Sequence, residues 1–119
     1  MPVDVFLKLL DKHKNIFVEN VELHSDDFVK ALKIISADNR ERTVEIWKDS
    51  ETVRSWLNMY GITEGSKPGE IRGEFEIAEI RKKLIGNMRL RYKNCNVDLV
   101  NFDWSDDRTV NIMISKEAL

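Results

Sequence analysis

The sequence predicts an α+β fold: a single two-layer domain with about four helices packed on a mixed sheet that ends in a three-stranded antiparallel meander. Three observations support this prediction. The length of 119 residues suits one domain. Apolar residues recur at helical spacing in four segments of the chain. The last third of the chain alternates apolar and polar residues between short polar turns.

The first two elements are a helix and a strand. The helix is predicted over residues 4–14, because its apolar residues fall on one helical face while aspartate and lysine occupy the other. The strand is predicted over residues 15–23, where Phe17, Val21 and Leu23 share one face.

The second helix is expected to begin at Ser25, whose hydroxyl can accept a hydrogen bond from an unpaired amide of the first turn. Asp26 and Asp27 follow, at the positive end of the helix dipole. The buried stripe of this helix is predicted to comprise Phe28, Leu32 and Ile35.

The middle of the chain begins with an alternating strand over residues 42–48. A third helix follows, which Asp49 or Ser50 caps and Gly61 ends. Residues 62–70 contain two glycines and a proline, and they are predicted to form a mobile loop.

The segment 71–86 fits two patterns. Phe75 and the isoleucines on either side of it alternate as in a strand, whereas apolar residues from Ile77 onward recur as in a helix. We expect a short extended piece and then a fourth helix over 77–85, ended by Gly86. Three strands complete the chain and should pair as an antiparallel meander: 88–93, 97–104 and 109–115.

Positive charge is concentrated in residues 81–94, which carry six cationic side chains and no carboxylate. The whole chain has a net charge of −2, so no overall field attracts nucleic acid or an acidic membrane, and electrostatic binding depends on a local patch. The candidate binding residues are these six cations with two aromatic residues from the next strand: Arg81, Lys82, Lys83, Arg89, Arg91, Lys93, Phe102 and Trp104.

The face on which these residues meet depends on strand register. If residue 92 pairs with 97 and residue 104 with 109, then Phe102 and Trp104 lie on the same face as Arg89, Arg91 and Lys93. The other face then carries the apolar residues of the meander and forms the core. A slip of one residue would exchange the two faces of a strand.

Three explanations of this aromatic and basic face remain open. Helices of the same domain can cover it, with the cations at the rim. It can be a protein interface, most simply of a symmetric dimer, because Trp, Phe, Met and Arg are enriched at interfaces. It can bind single-stranded nucleic acid, with the rings stacking on bases and the cations meeting phosphates. Four aspartates in residues 94–107 weaken this third explanation, because they would repel a polyanion.

No catalytic site, metal site or cofactor is predicted. His13 and His24 lack the spacing of a metal motif, and Cys95 has no partner nearby in sequence that marks a nucleophile. Asp103, Asp106 and Asp107 fall in a turn, which explains aspartate without a cation.

The functional hypothesis is a small non-catalytic protein-interaction or regulatory module, a homodimer that uses the aromatic and basic face of its C-terminal sheet. Nucleic-acid binding by the same face is the alternative, and an enzyme with a site not visible in sequence is third. A single cysteine favours a reducing compartment, so a cytoplasmic location is expected. No uncharged run approaches the ~20 residues of a membrane helix, so no membrane partner is expected.

Overall fold

Three helices cover one side of a seven-stranded sheet in the computed structural model of this protein, within the residues that it describes. Those residues are 1–63, 65–81, 87–93, 99–104 and 106–117. The helices are α1 (Val3–Lys12), α2 (Ser25–Ala37) and α3 (Ser50–Met59). The strands are β1 (Asn15–Glu19), β2 (Arg42–Asp49), β3 (Ile71–Arg72), β4 (Phe75–Arg81), β5 (Asn87–Tyr92), β6 (Leu99–Asp103) and β7 (Thr109–Lys116).

The strands lie in the order β1-β2-β7-β6-β5-β4-β3. The neighbours β1 and β2 run parallel, with α2 as the connection between them, and every other neighbouring pair is antiparallel. The predicted mixed sheet is therefore confirmed. The predicted three-stranded meander is part of a longer antiparallel run that extends from β3 to β7.

Local capping chemistry sets the starts of α2 and α3. The N-cap of α2 is His24, one residue before the predicted Ser25, and the Asp27 carboxylate accepts a hydrogen bond from the His24 amide at 3.0 Å. Asp49 caps α3 as predicted, because its Oδ2 accepts from the Thr52 amide at 2.9 Å. Hydrogen bonds from the Thr52 side chain and amide lower the pKa of Asp49 below its ordinary value.

The predicted fourth helix over 77–85 is wrong for the residues that the structure describes, since β4 runs to Arg81; residues 82–86 lie outside them. A β-bulge explains the error. Ile77 pairs with Leu90 and Ile80 with Met88, so Ala78 is an extra residue in β4. The bulge returns the chain to the core side after three residues instead of two, and this spacing imitates a helix.

Two other predicted elements have different lengths in the structure. Strand β1 ends at Glu19 rather than at residue 23, because Asn20 adopts a positive φ of 53° that breaks the extended backbone. The loop at 62–70 is bonded to β4, where Gly69 N–H donates to the Ile77 carbonyl at 2.6 Å. Its mobility stays a prediction.

The core lies between the helices and one face of the sheet. Phe28 of α2 stacks on Trp56 of α3 at 5.3 Å between ring centroids and meets Phe102 of β6 at 6.1 Å. Tyr60, which follows α3, meets Phe75 of β4 at 5.0 Å. Helix α1 lies on the same side, where the Arg42 guanidinium of β2 donates to carbonyls at the end of α1. All three helices in the described residues therefore lie on one side of the sheet.

Candidate protein-interaction surface

The predicted aromatic and basic face does not form, because Phe102 belongs to the core. The register of β5 with β6 pairs Met88 with Phe102 and Arg89 with Asn101. Phe102 is fully buried under α2. The prediction assumed a pairing between β5 and β6 that is shifted by one residue, and such a shift turns every side chain of β6 to the opposite face.

Trp104 also lies on the helix side. It follows β6, packs against the core and carries the Arg54 guanidinium of α3 at 5.2 Å from its ring centroid. The observed pairing of Asp103 with Asn111 differs by one residue from the predicted pairing of β6 with β7. The predicted pairing of β6 is thus shifted by one residue against both β5 and β7, and the two shifts cancel between β5 and β7. The predicted core faces of β5 and β7 were therefore right, and only that of β6 was wrong.

The opposite side of the sheet carries no helix within the described residues, and we call it the open face. It consists of the odd-numbered residues of β1, β2, β5 and β7, with Asn101 and Asp103 of β6 and Glu76, Glu79 and Arg81 of β4. Of the predicted site, Arg81, Arg89 and Arg91 meet on this face. Lys93 follows β5 and is exposed. Lys82, Lys83 and Cys95 lie outside the described residues.

Carboxylates of β4 pair with the three arginines of the open face. Arg81 donates to Glu79 at 2.6 Å, and Arg89 lies 3.6 Å from the other oxygen of Glu79. Arg91 contacts Glu76 at 3.3 Å. The hydrogen bond from Arg81 lowers the pKa of Glu79 below its ordinary value, so this carboxylate stays charged. The positive charge of these three arginines is thus largely offset inside the fold by the two glutamates of β4.

Arg89 is the least satisfied of these arginines. Its ion pair with Glu79 is the longest of the three, and its Nε is buried without a hydrogen-bond partner. The Oδ1 atoms of Asn101 and Asn87, beside it on the open face, are likewise buried and unpaired. Buried polar groups are rarely left unpaired in native structures, so these three atoms mark the least satisfied part of the open face.

The other half of the open face combines apolar and acidic side chains. Phe17 of β1 is 58% exposed, and Met113 of β7 and Trp47 of β2 are partly exposed. Glu19 and Glu45 lie among them, and the outward residues of β1, β2 and β7 include no cation. This half of the open face is therefore negative, whereas the half formed by β4, β5 and β6 is neutral overall, because Glu76, Glu79 and Asp103 match its three arginines.

Trp47 is held in place by hydrogen bonds. Its indole Nε1 donates to Oε1 of Glu45 at 3.2 Å, and Nδ2 of Asn111 donates to the same oxygen at 2.6 Å. Strand register sets Trp47 opposite Asn111 and Glu45 opposite Met113. The hydrogen bond and the strand pairing hold the Trp47 ring in one orientation in the free protein.

Sequence reasoning missed Trp47 and misplaced Phe17, although the signal was present. The strand at 42–48 alternates, so burial of Val44 and Ile46 leaves Trp47 on the other side. Phe17 was expected to share a face with Val21, but Val18 is the buried residue of β1 and Phe17 points away from the core.

A second feature is a shallow groove of about 500 Å³ between the start of α2 and α3. Its hydroxyls serve local structure, since Ser25 donates to Sδ of Met59 at 3.3 Å and Thr52 donates to Asp49 at 2.6 Å. In the part of the chain that the structure describes, no three His, Cys, Asp or Glu residues are placed to hold a metal ion.

Each helix in the described ranges is too short or too polar to cross a bilayer. Comparisons with models of protein families, with curated proteins and with solved structures each found no match to this chain. Any proposal about function therefore stands on the geometry of the chain itself.

Proposed function

We propose that this protein is a non-catalytic protein-interaction or regulatory module of the cytoplasm, and that its binding surface is the open face of the sheet. The observation that carries this proposal is the exposure of Phe17, Trp47 and Met113 on a sheet face that no helix covers in the described residues. The exposed face of an antiparallel sheet is ordinarily polar, so bulky apolar side chains there require a reason.

The composition of the open face resembles that of a protein interface. Aromatic residues, Met and Arg are the types enriched at the centres of interfaces. Phe17 and Met113 lie in one row across the sheet, on either side of Glu45, and Trp47 lies two residues along β2 from Glu45. The apolar side chains thus form one patch, with charged and amide groups around it that can fix the orientation of a partner.

Rigidity supports the same function. The sheet is paired throughout β2, β7 and β6, and the Glu45 carboxylate fixes Trp47. A preorganised surface loses little side-chain entropy when a partner binds, so more of the contact free energy appears as affinity.

Nucleic-acid binding is less favoured by this geometry. The rings that were expected to stack on bases, Phe102 and Trp104, lie on the helix side. The exposed rings that remain lie beside Glu19 and Glu45, which would repel phosphates. Glu76 and Glu79 lie among the arginines of the open face and would also repel a polyanion.

Photo-crosslinking in the cells that produce the protein tests this proposal. A benzoylphenylalanine residue in place of Phe17 keeps an aromatic ring on the open face. The matched control carries the same residue in place of Met59, which is 70% exposed on the helix layer. We expect covalent protein adducts from position 17 and few from position 59. Adducts to RNA or DNA, or the absence of any protein adduct from position 17, would contradict the proposal.

A further inference from the structure

We propose that the partner of the open face is a second copy of this chain, packed face to face across a two-fold axis that runs parallel to the strands between β6 and β7. This inference rests on the proposed function of the open face. It adds the identity of the partner and the pairs of residues that meet. The argument comes from the distribution of charge over the face and from strand register.

Within the strands that the structure describes, the cations of the open face all lie on one half of it. On β1 and β2 the outward residues include Glu19 and Glu45 and no cation. On β4, β5 and β6 three arginines are matched by Glu76, Glu79 and Asp103, so this half is neutral overall. A two-fold axis parallel to the strands lays each half of one copy over the opposite half of the other. That orientation therefore lays carboxylates of one copy over arginines of the other.

Strand register then defines which residues meet. The strand order sets β2 and β5 at equal distances on either side of the axis, and β1 and β4 likewise. Glu45 pairs with Met113, Met113 pairs with Asn101, and Asn101 pairs with Arg89. Glu45 and Arg89 therefore lie in one row across the sheet. The axis therefore places Glu45 of each protomer over Arg89 of its partner.

The next row gives the same result. Glu19, Trp47, Asn111, Asp103, Asn87 and Arg81 lie in line across the sheet. The axis sets Glu19 of one protomer over Arg81 of its partner and Asn111 over Asp103. Two packed sheets are rotated by about 30° relative to each other, so facing rows of residues diverge with distance from the axis. β2 and β5 lie about 7 Å from it, which makes Glu45 with Arg89 the pair to test.

The weak pairing of Arg89 within its own chain fits this arrangement. Arg89 has a buried Nε without a hydrogen-bond partner and a long contact of 3.6 Å to Glu79. The Arg89 side chain is 37% exposed, so a carboxylate from a second copy can reach its terminal nitrogens. Glu45 is suited to the task, because the bonds from Trp47 and Asn111 hold it in one orientation on the open face.

The size of the face is of the right order. The six strands other than β3, about 4.8 Å apart and roughly 17 Å or more in length, present a flat area of about 500 Å². The accessible surface of projecting side chains exceeds the flat area, and a stable interface buries about 800 Å² on each partner. The open face is thus large enough for a small stable dimer.

Charge reversal tests the arrangement directly. In a dimer of the Arg89→Glu variant, residues 45 and 89 that face each other are both negative, at both copies of the contact. In a dimer of the Glu45→Arg variant, they are both positive. We expect each variant to raise the dimer dissociation constant by at least about 100-fold in sedimentation analysis. An equimolar mixture of the two variants should form heterodimers, because both interface pairs are then opposite in charge. Native mass spectrometry with one variant labelled identifies the heterodimer.

The matched control is Lys33→Glu, which changes the net charge as Arg89→Glu does but lies on the exposed side of α2. It should leave the dissociation constant unchanged. Circular dichroism checks the fold of each variant. If Glu45→Arg fails to fold, the exposed pair Glu19→Arg and Arg81→Glu replaces it in the same mixing experiment.

Three results would overturn this inference: a native chain that stays monomeric at millimolar concentration, variants that dimerise like the native chain, or a mixture that forms no heterodimer. The crosslinking experiment separates these failures from failure of the proposed function. If the purified chain is monomeric but position 17 crosslinks to another protein in cells, self-association is wrong while protein binding by the open face stands.

Discussion

Two buried cations, Arg42 and Lys116, show how single residues hold the helix layer on the sheet. They lie opposite each other on β2 and β7, at the helix side, and each is only 1% exposed. Nζ of Lys116 donates to the carbonyls of Ile35 and Ser36 at 3.1 and 2.5 Å, and to that of Asp38. The last carbonyls of a helix lack partners within the helix, and its negative end favours a cation. The buried ammonium is therefore stabilised where it lies.

We expect Lys116→Met to lower the free energy of unfolding by about 1–3 kcal/mol, because the carbonyls at the end of α2 lose their donor while the apolar stem remains. Urea unfolding measures the change. The control, Lys33→Met, removes an exposed ammonium from the same helix layer and should stay within about 0.5 kcal/mol of the native chain. Equal effects of the two variants would show that the ammonium of Lys116 contributes nothing.

Arg42 has a parallel role for α1. Its guanidinium donates to the carbonyls of Leu10 and His13, and it contacts the Asp38 carboxylate at 3.1 Å. Burial lowers the pKa of Arg42, but a guanidinium remains charged at neutral pH. The sequence did not reveal these roles, since an arginine at the start of a strand and a lysine at the end of one look like ordinary surface residues until α1 and α2 are placed over them.

At the scale of the element, β6 depends most strongly on its neighbours. Its apolar residues alternate clearly, and the alternation predicts a strand of the correct type. Which set of side chains faces the core depends on pairing with β5 and β7, and a shift of one residue reverses the answer. Local sequence sets the period of a strand, but it does not set the face.

Substitutions at neighbouring positions of β6 test the observed face. Phe102→Ala should cost about 3–5 kcal/mol of unfolding free energy, because the ring is fully buried against Phe28. Asn101→Ala should cost less than about 1 kcal/mol, because its side chain lies on the open face. Chemical denaturation compares the two variants. A larger loss for Asn101→Ala would mean that the register of β5 with β6 is the one first expected from sequence.

Strand β4 shows a different limit of prediction. The helices at 4–14 and 50–60 and the strand at 42–48 were predicted within a few residues, since each has one uninterrupted period and a clear boundary signal. In β4 the bulge at Ala78 changes the period from two to three within one strand. A periodicity argument takes such a change for the start of a helix, and only pairing with β5 resolves it.

At the scale of the whole molecule, the placement of every described helix on one side of the sheet creates the candidate surface. The apolar stripes of α1, α2 and α3 all need burial, and the face that carries Val44, Ile46 and Ile112 provides it. The opposite face is therefore exposed to solvent or to a partner. The arginines of β5 form ion pairs with glutamates of the neighbouring strand β4. These ion pairs explain why positive charge is concentrated in β5.

A dimer of this geometry predicts a melting temperature that depends on protein concentration. A partner that binds only the folded chain stabilises it by mass action. Raising the concentration about 100-fold should raise Tm by roughly 3–8 °C. Calorimetry at several concentrations measures the shift. The Arg89→Glu variant should show a constant Tm, and a constant Tm for the native chain would argue against a dimer that is coupled to folding.

The sequence by itself determined the α+β class, three of the helices, the alternation of the last strands and the core positions of β5 and β7, because these depend on local periods and caps. The tertiary structure alone decided that Phe102 is in the core, that Arg89 meets Glu79, and that Trp47 and Phe17 share an open face with the arginines. These features depend on strand register and on contacts between residues far apart in the chain. A local pattern keeps the same period when a strand slips by one residue, so the sequence cannot distinguish the two faces.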